Sequence, residues 1–240
     1  MRIVFFTGAG ISRESGLQTF RDSDGLWEGQ AVEDVCSVEA WNRTPDRVLA
    51  FYNERRRAVR QAVPNAAHHA IAALEGSGHD VAVVTQNVDD LHERAGSTTV
   101  VHLHGEIVKS RSDRDDSTLY ECPGDIYMGD RAPDGGQLRP HVVFFGETVF
   151  NYSYARSLCK RANIMVVVGT SLAVYPVAYL VQGRNARTLF LVDPDAPSLS
   201  RISGDDRKIE ILRKPATEGV PEVIARIHAQ AERWRMLVNE

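Results

Sequence analysis

Short apolar runs recur along this chain, each followed by glycine or polar residues, and they limit its possible folds more than any other feature. The runs are rich in Val, Ile and Phe and lack strict alternation, which is typical of strands buried on both faces of a sheet. They span Ile3–Phe6, Val81–Val84, Val100–Leu103, Val142–Phe145, Ile164–Val168 and Leu189–Val192. Helical patterns lie between several of them, at His68–Leu74, Tyr154–Arg161 and Val177–Gln182. Strands that alternate with helices predict an α/β fold with a doubly wound, Rossmann-like parallel sheet.

Two segments do not fit this alternation, and we interpret them as insertions that form a smaller module. Residues 28–64 have a helical pattern throughout, whereas residues 109–139 are polar, glycine-rich and irregular. The Rossmann-like part then comprises about 1–27, 65–108 and 140–240, and residues 1–240 form a single unit. Apolar residues at helical spacing over Pro221–Leu237 predict a last helix packed on the sheet.

The composition excludes several classes of protein. With 43% hydrophobic and 25% charged residues in 240, the chain is typical of a soluble globular protein and not of a disordered one. A net charge of −4 and a pI near 6.1 argue against nucleic acid as a partner. The apolar runs are too short to cross a membrane or to act as a signal peptide, so we expect a cytoplasmic protein. The oligomeric state is left open.

Glycine-rich and polar segments follow the predicted strands. The first strand continues into a loop made of Gly8, Ala9, Gly10, Ile11 and Ser12. Glycines at this position let the backbone approach a phosphate, although the usual GxGxxG spacing is absent and the loop alone leaves dinucleotide binding open. Gly169, Thr170 and Ser171 end another strand and offer amides and hydroxyls to a ribose or phosphate.

Amide and carboxylate side chains follow the second predicted strand. Gln86, Asn87 and Asp89 are well placed to bind ribose hydroxyls or a carboxamide. The alternative is that Asn87 and Asp89 cap the next helix, a common role for these residue types.

Two histidines are candidates for a general base at the end of the third strand. His104 precedes Gly105 and Glu106, and an imidazole at a strand end suits proton transfer near neutral pH. His102 lies two residues earlier on the same face of the strand, so both remain candidates.

Taken together, five segments resemble the sirtuin family of NAD-dependent protein deacylases in their order and spacing. They are GAGISRESGLQTFR, TQNVDDLHERAG, HLHGE, FFGE and GTSLAVYP, and the resemblance extends over essentially the whole chain. It implies NAD as cofactor and acyl-lysine proteins or peptides as substrates. The implied products are free lysine, nicotinamide and O-acyl-ADP-ribose.

The resemblance also implies roles for single residues, with His104 as the base and Asn87 beside it at the reacting ribose. The residues implied to bind NAD are Gly8, Ala9, Gly10, Ile11, Ser12, Phe20, Arg21, Gln86, Asn87, Asp89, Gly169, Thr170, Ser171, Asp193 and Ala216. Those implied to bind the substrate peptide as an added strand are Val143, Phe144, Phe145, Gly146, Glu147 and Val174. An NAD glycohydrolase or ADP-ribosyl transferase, and a non-catalytic NAD or ADP-ribose sensor, are the alternatives.

Two positions depart from the family's usual pattern. Most sirtuins bind a structural zinc through two cysteine pairs, but residues 109–139 contain only Cys122, and Ser112 stands where a first cysteine is expected. One thiol with nearby aspartates is a poor tetrahedral site, so we predict no metal. We expect this segment either to be mobile or to be held by apolar contacts instead, made by Leu119, Tyr120, Ile126, Tyr127 and Met128. Asp193 replaces the usual asparagine, and its carboxylate can still accept hydrogen bonds from a ribose diol.

A helix predicted over Asp46–Ala62 bears on the identity of the acyl group. At about 100° per residue, Arg55 falls on the apolar face beside Tyr52, while Arg57 points to the opposite side. An inward guanidinium near a tyrosine suits a carboxylate, and this YxxR pattern resembles that of sirtuins that remove succinyl and malonyl groups. The sequence therefore predicts an acidic acyl group, with acetyl-lysine also accepted. The alternative is a basic run on a solvated face or paired with an internal acid.

Overall fold

A computed structural model of the chain describes residues 1–18, 26–27, 30–196 and 208–238. The strands are β1 (Arg2–Thr7), β2 (Leu26–Trp27), β3 (Gln30–Ala31), β4 (Asp80–Thr85), β5 (Val100–His102), β6 (Gly105–Ser112), β7 (Leu119–Glu121), β8 (Leu138–Val142), β9 (Ile164–Val168), β10 (Thr188–Val192) and β11 (Lys208–Leu212). The helices are α1 (Val32–Val35), α2 (Val38–Arg43), α3 (Pro45–Gln61), α4 (Ala66–Gly76), α5 (Leu91–Ala95), α6 (Tyr152–Arg161), α7 (Ala178–Gln182) and α8 (Ala216–Val238). No helix in these ranges is long and apolar enough to span a bilayer.

Six strands form one parallel sheet in the order β11-β10-β9-β1-β4-β5, which confirms the predicted doubly wound α/β fold. Side chains that alternate along β1 divide between two apolar layers. Ile3 and Phe5 pack with α4 and α8, whereas Val4 and Phe6 pack with α6 and α7. Because both faces are covered by helices, the central strands read as continuous apolar runs.

One predicted strand of this sheet is wrong, and one strand was missed. The run Val142–Phe145 straddles the end of β8, which belongs to a separate antiparallel sheet, and the loop after it. The missed strand β11 lies at the sheet edge, where Glu210 alternates with apolar neighbours and the residues are only partly buried. An edge strand lacks the continuous apolar run that identifies a central strand.

The two insertions differ from their sequence-based expectations in different ways. Residues 105–142 contain a three-stranded antiparallel sheet in the order β7-β6-β8, hereafter the small sheet. Residues 28–64 were expected to be helical throughout, but β3 precedes the three helices α1, α2 and α3. The predicted helix Asp46–Ala62 corresponds to α3, and the predicted last helix lies within α8.

Buried polar side chains of α3 hold the small sheet and its loops. Asn53 donates to the carbonyl of Ile126 and accepts from its amide, both at 2.9 Å. Arg56, only 1% exposed, donates to the carbonyls of Ile107 and Gly124 and to the Asn53 side chain. These bonds satisfy backbone groups that would otherwise be buried without partners.

The apolar contacts predicted for this segment are largely wrong. Ile126 is buried and Tyr120 half-buried, but Leu119, Tyr127 and Met128 are 40%, 62% and 45% exposed. The segment is held to α3 by hydrogen bonds together with apolar packing, in which Cys122 and Ile126 lie against Leu49.

Candidate active site

The loops that follow β1 and β9 meet through glycines at the carboxyl edge of the parallel sheet. The amide of Gly8 donates to Val168, and that of Gly10 donates to Gly169 at 2.9 Å. A Cβ on Gly10 would lie 2.5 Å from the Cα of Gly169, and one on Gly8 would lie 2.8 Å from the Gly169 carbonyl oxygen. Gly169 also has a φ of +61°, which L side chains rarely adopt. These glycines therefore let two backbones touch, a role that phosphate binding alone would not require.

A buried chain of hydrogen bonds links this first loop to the loop after β4. Asn87 donates through Nδ2 to Ser12 Oγ, which donates to Asp89 Oδ2, both at 3.0 Å. Asp89 Oδ1 accepts from the amide of Leu91 at 3.2 Å. Burial raises the pKa of Asp89, although these hydrogen bonds oppose the change. Ser12 thus orients two side chains that the sequence singled out.

Gln86 connects the loop after β4 to both of its neighbours. Its amide donates to Thr7, and its Nε2 donates to Thr170 Oγ1 at 2.9 Å. Its carbonyl faces Nδ1 of His104 at 2.9 Å. Gln86 therefore joins the loop after β4 to β1 and to the segments that follow β5 and β9.

His104 has a ring nitrogen that can accept a proton. Because a carbonyl only accepts, the bond to Gln86 places a proton on Nδ1 and leaves Nε2 of the neutral ring with a lone pair. Burial lowers the pKa of His104, against the opposing effect of the Gln86 carbonyl. The neutral ring is therefore the favoured form near neutral pH.

His102 is bonded in the opposite way. Its Nδ1 faces the carbonyl of Asn87 at 2.9 Å and its Nε2 faces Glu93 Oε1 at 2.8 Å, so both nitrogens donate. Burial opposes a charged ring, but the hydrogen bond and charge of Glu93 raise the pKa of His102. A doubly donating imidazolium has no lone pair, and the geometry leaves His104 as the better base. Glu93 carried no sequence signal because its partner comes from another element.

The loop after β8 is fixed to the beginning of α2. The amide of Phe145 donates to Cys36 at 2.7 Å, and that of Val38 donates to Phe145 at 3.1 Å. The amide of Val143 donates to the His104 carbonyl, which joins this loop to the residue at the end of the third predicted strand. The side chain of Phe145 is 52% exposed, and Val174 in the loop after β9 is 39% exposed. Both segments implied to hold a peptide thus reach the surface, and Gly146, also exposed, adopts a φ of +99°.

Glu147 is occupied by internal partners. Its carboxylate accepts from Arg139 at 2.6 Å, from Arg111 at 3.2 Å and from the amide of Phe144 at 2.7 Å. The Arg139 guanidinium also lies 3.8 Å from the ring centroid of Phe144, which is buried. The position of Glu147 suits anchoring the loop better than touching a substrate.

Tyr52 and Arg55 lie on the buried face of α3, as their spacing predicts. Tyr52 is 2% exposed and packs against Phe51 and Phe144 at centroid distances of 5.2 and 5.5 Å. Arg55 is 8% exposed, lies over the Phe51 ring, and has its pKa lowered to about 10 by burial. Arg57 points outward and pairs with Asp125.

The remaining predicted NAD contacts fall in different surroundings. Asp193 at the end of β10 is buried, and its Oδ1 accepts from the Asp195 amide at 2.9 Å. Ala216 begins α8 and is buried with Ile11 in the layer beneath the sheet, so only their backbones could face a ligand. Ala9 and Ser171 are half-buried. Phe20 and Arg21 lie outside the described residues.

The residues of the small sheet do not fit the zinc of the family. Cys122 is buried against Leu49 and Ile126, and Ser112 Oγ donates to Asp134 at 2.9 Å. Within the described ranges, no group of three or more His, Cys, Asp or Glu side chains is placed to hold a metal ion.

Comparison with known sequences shows extensive similarity. Residues 8–176 match the Sir2 family. An NAD-dependent protein deacylase of Aggregatibacter actinomycetemcomitans is 52% identical over 194 residues, which cover 80% of this chain and 92% of the relative. A deacylase of the same name from Bacteroides thetaiotaomicron is 45% identical, over 92% of this chain and 95% of the relative's length. Another from Escherichia coli K12 is 40% identical, over 94% of this chain and 82% of the relative's length.

Solved structures have the same architecture. A Sir2 homologue in complex with NAD superposes with a TM-score of 0.83 and 35% identity, covering 95% of this chain and 90% of its own. A Sir2 protein bound to a propionylated peptide superposes with a TM-score of 0.74 and 30% identity, covering 93% and 92%.

Proposed function

The chain belongs to the Sir2 family and is an NAD-dependent protein deacylase, and we propose that it removes succinyl and malonyl groups, and also acetyl groups, from lysine. The observation that carries the acyl preference is the burial of Arg55 beside Tyr52 on the inner face of α3. The proposed products are nicotinamide, O-acyl-ADP-ribose and free lysine.

NAD supplies the ADP-ribosyl group that receives the acyl group. The residues proposed to hold it fit a ligand with two riboses and a pyrophosphate, because glycine-rich loops and polar side chains converge at one sheet edge. The loops Gly8–Ser12 and Gly169–Ser171 would offer backbone amides, and Gln86, Asn87 and Asp89 would offer side-chain groups. Asp193 would face the adenosine half.

His104 is proposed to act as the general base through Nε2. The bond from Nδ1 to Gln86 fixes the tautomer, and burial keeps the ring neutral. A proton leaving a ribose hydroxyl would therefore be taken up at Nε2. The buried pair Asn87 and Ser12 would orient that ribose without exchanging protons.

Arg55 is proposed to bind the carboxylate of a succinyl or malonyl group. Its guanidinium is removed from bulk water, so its attraction for a carboxylate is screened less than at the surface. The hydroxyl of Tyr52, one turn away, donates to Cys36 in this structure and would exchange that partner for the carboxylate to make a second hydrogen bond. An acetyl group lacks the carboxylate and would gain from neither.

Mass spectrometry tests this function directly. The protein is incubated with NAD and matched acetyl-lysine and succinyl-lysine peptides, and peptide, nicotinamide and ADP-ribose products are followed together. O-acyl-ADP-ribose formed in step with deacylated peptide supports the proposal. Nicotinamide and ADP-ribose released without change in either peptide would indicate a glycohydrolase, and no turnover of NAD would indicate a sensor.

Arg55→Met tests the acyl preference, with Arg57→Met as the matched surface control. We expect Arg55→Met to lower kcat/KM for the succinyl peptide about 30-fold and for the acetyl peptide less than 3-fold, since a charge-assisted bond contributes about 2 kcal/mol. Arg57→Met should change neither. Equal losses on both peptides would assign Arg55 a structural role.

A further inference from the structure

We propose that a groove between α6 and α7 binds acidic residues of the protein substrate that lie outside the acylated lysine. This α6–α7 groove has a volume of about 420 Å³. It is lined by Tyr152, Arg156 and Lys160 of α6 and by Tyr179, Leu180 and Gln182 of α7. The inference rests on the proposed deacylase function, because it extends the peptide site that this function requires.

The charge of the groove is the first observation. Arg156 and Lys160 are exposed, and within the described part of the chain neither makes an ion pair or a side-chain hydrogen bond. No Asp or Glu occurs in the sequence between Glu147 and Asp193, although the chain as a whole carries a net charge of −4. The groove is therefore a locally cationic surface on an anionic protein, which favours an anionic partner.

Exposed aromatic rings are the second observation. Tyr175 and Tyr179 are 53% and 55% exposed, with ring centroids 4.8 Å apart, and Tyr179 lines the groove. Tyrosine and arginine are the residue types enriched at the energetic centres of protein interfaces. Packed tyrosines beside unpaired cations suit a peptide that is acidic along its length.

The groove is continuous with the proposed peptide site. Val174 of that site is followed directly by Tyr175, whose ring contacts Tyr179 on the wall of the groove. The hydroxyl of Tyr152 donates to the carbonyl of Pro176 at 3.5 Å, which closes the gap between α6 and this loop. An extended peptide advances about 3.3 Å per residue, so residues a few positions from the lysine would reach the groove.

An acidic peptide explains the groove better than a nucleic acid does. Nucleic-acid sites use a long stripe of cations to follow a phosphate backbone, whereas among the described residues that line this groove the charged ones are Arg156 and Lys160. Two cations flanked by tyrosines match one or two carboxylates.

Acetyl-lysine peptides test the proposal, because the acetyl group has no carboxylate that could itself bind to a cationic side chain. Two sets of three peptides are compared. In one set, Glu, Gln or Lys occupies the positions three to six residues before the acetyl-lysine, and in the other set the positions three to six residues after it. We expect KM to be about five-fold lower for the Glu peptide than for the Gln peptide in one set. Arg156→Glu combined with Lys160→Glu should abolish this ratio and leave kcat and the KM of the Gln peptide unchanged. Arg161→Glu, on α6 but outside the groove, is the matched control and should leave the ratio of the two KM values unchanged.

The possible results separate the two proposals. Equal KM values for the Glu and Gln peptides in both sets, with normal turnover, would overturn the groove and leave the deacylase function intact. If no peptide is deacylated, the function fails, and fluorescence anisotropy of a labelled Glu-rich peptide then decides the groove. Binding that the double charge reversal does not weaken would overturn it. Binding of a single-stranded oligonucleotide that the reversal abolishes, without any peptide preference, would also overturn it.

Discussion

The carboxyl edge of the parallel sheet and the small sheet are both rich in buried polar groups, but they rest on different supports. At the edge, the chain Ser12, Asn87 and Asp89 sits above two apolar layers that already fix the strands. In the small sheet, Asn53 and Arg56 of α3 make the bonds that hold the segment, and several of its large apolar side chains face water. Polar residues at the edge can therefore serve ligands, whereas those under the small sheet serve stability.

The sharpest test of this difference is His104→Ala. The side chain is half-buried and makes one hydrogen bond, so we expect deacylation to fall about 10²- to 10⁴-fold with little change in Tm. Steady-state kinetics and thermal unfolding of the same sample measure both quantities. Undiminished turnover would remove His104 from the mechanism, and a large fall in Tm would place it among the structural residues.

Asn53→Leu should have the converse effect. The change keeps the number and branching of the side-chain heavy atoms but leaves the amide and carbonyl of Ile126 buried without partners, at about 2 kcal/mol for each, and removes one acceptor of Arg56. We expect the free energy of unfolding in urea to fall by roughly 4 kcal/mol, with kcat largely retained in the fraction that stays folded. Glu54→Ala, an exposed neighbour on α3, is the control. A loss below about 0.5 kcal/mol would mean that apolar contacts hold the small sheet after all.

Acid should destabilise the large sheet through His68 on α4. Burial lowers the pKa of His68 to about 4 in the folded protein, whereas the unfolded chain titrates near its ordinary value of about 6.5. Between these values only the unfolded state binds the proton, so stability is full above pH of about 6.5 and falls as pH drops to about 4. The expected loss is about 3 kcal/mol. His68→Gln should remove this part of the pH dependence of urea unfolding, and an unchanged slope would contradict it.

The smallest effect is expected from Met128→Ser. Met128 is 45% exposed, so its apolar surface is largely wet in the folded state as well. The free energy of unfolding should change by no more than about 0.5 kcal/mol, measured beside Asn53→Leu under the same conditions. A loss above about 2 kcal/mol would show that this side chain is buried in solution.

The sequence predicts best where local pattern and final environment coincide. The central strands and the inward position of Arg55 follow from periodicity alone, because their surroundings are continuous apolar layers. Arg56 is more deeply buried than Arg55, yet no pattern identifies it, since its acceptors come from β6 (Ile107) and the loop after β7 (Gly124). The different bonding of His102 and His104 likewise became visible only with their partners, and the role of His104 as the base stays a prediction.

The contact between Glu14 and Thr217 bears on when the carboxyl edge of the parallel sheet is completed as the chain is synthesised. Glu14, just after the first glycine loop, accepts from the amide and the hydroxyl of Thr217 at 3.0 and 2.5 Å, which ties that loop to the beginning of α8. These two residues are 203 positions apart in the sequence. In the same way, β1 is hydrogen-bonded along both edges only when β9 is present as well as β4. During synthesis on the ribosome, β1 and the loop after it therefore emerge long before their partners in β9 and α8 are available. The proposed NAD site therefore cannot be completed until the beginning of α8 has been translated.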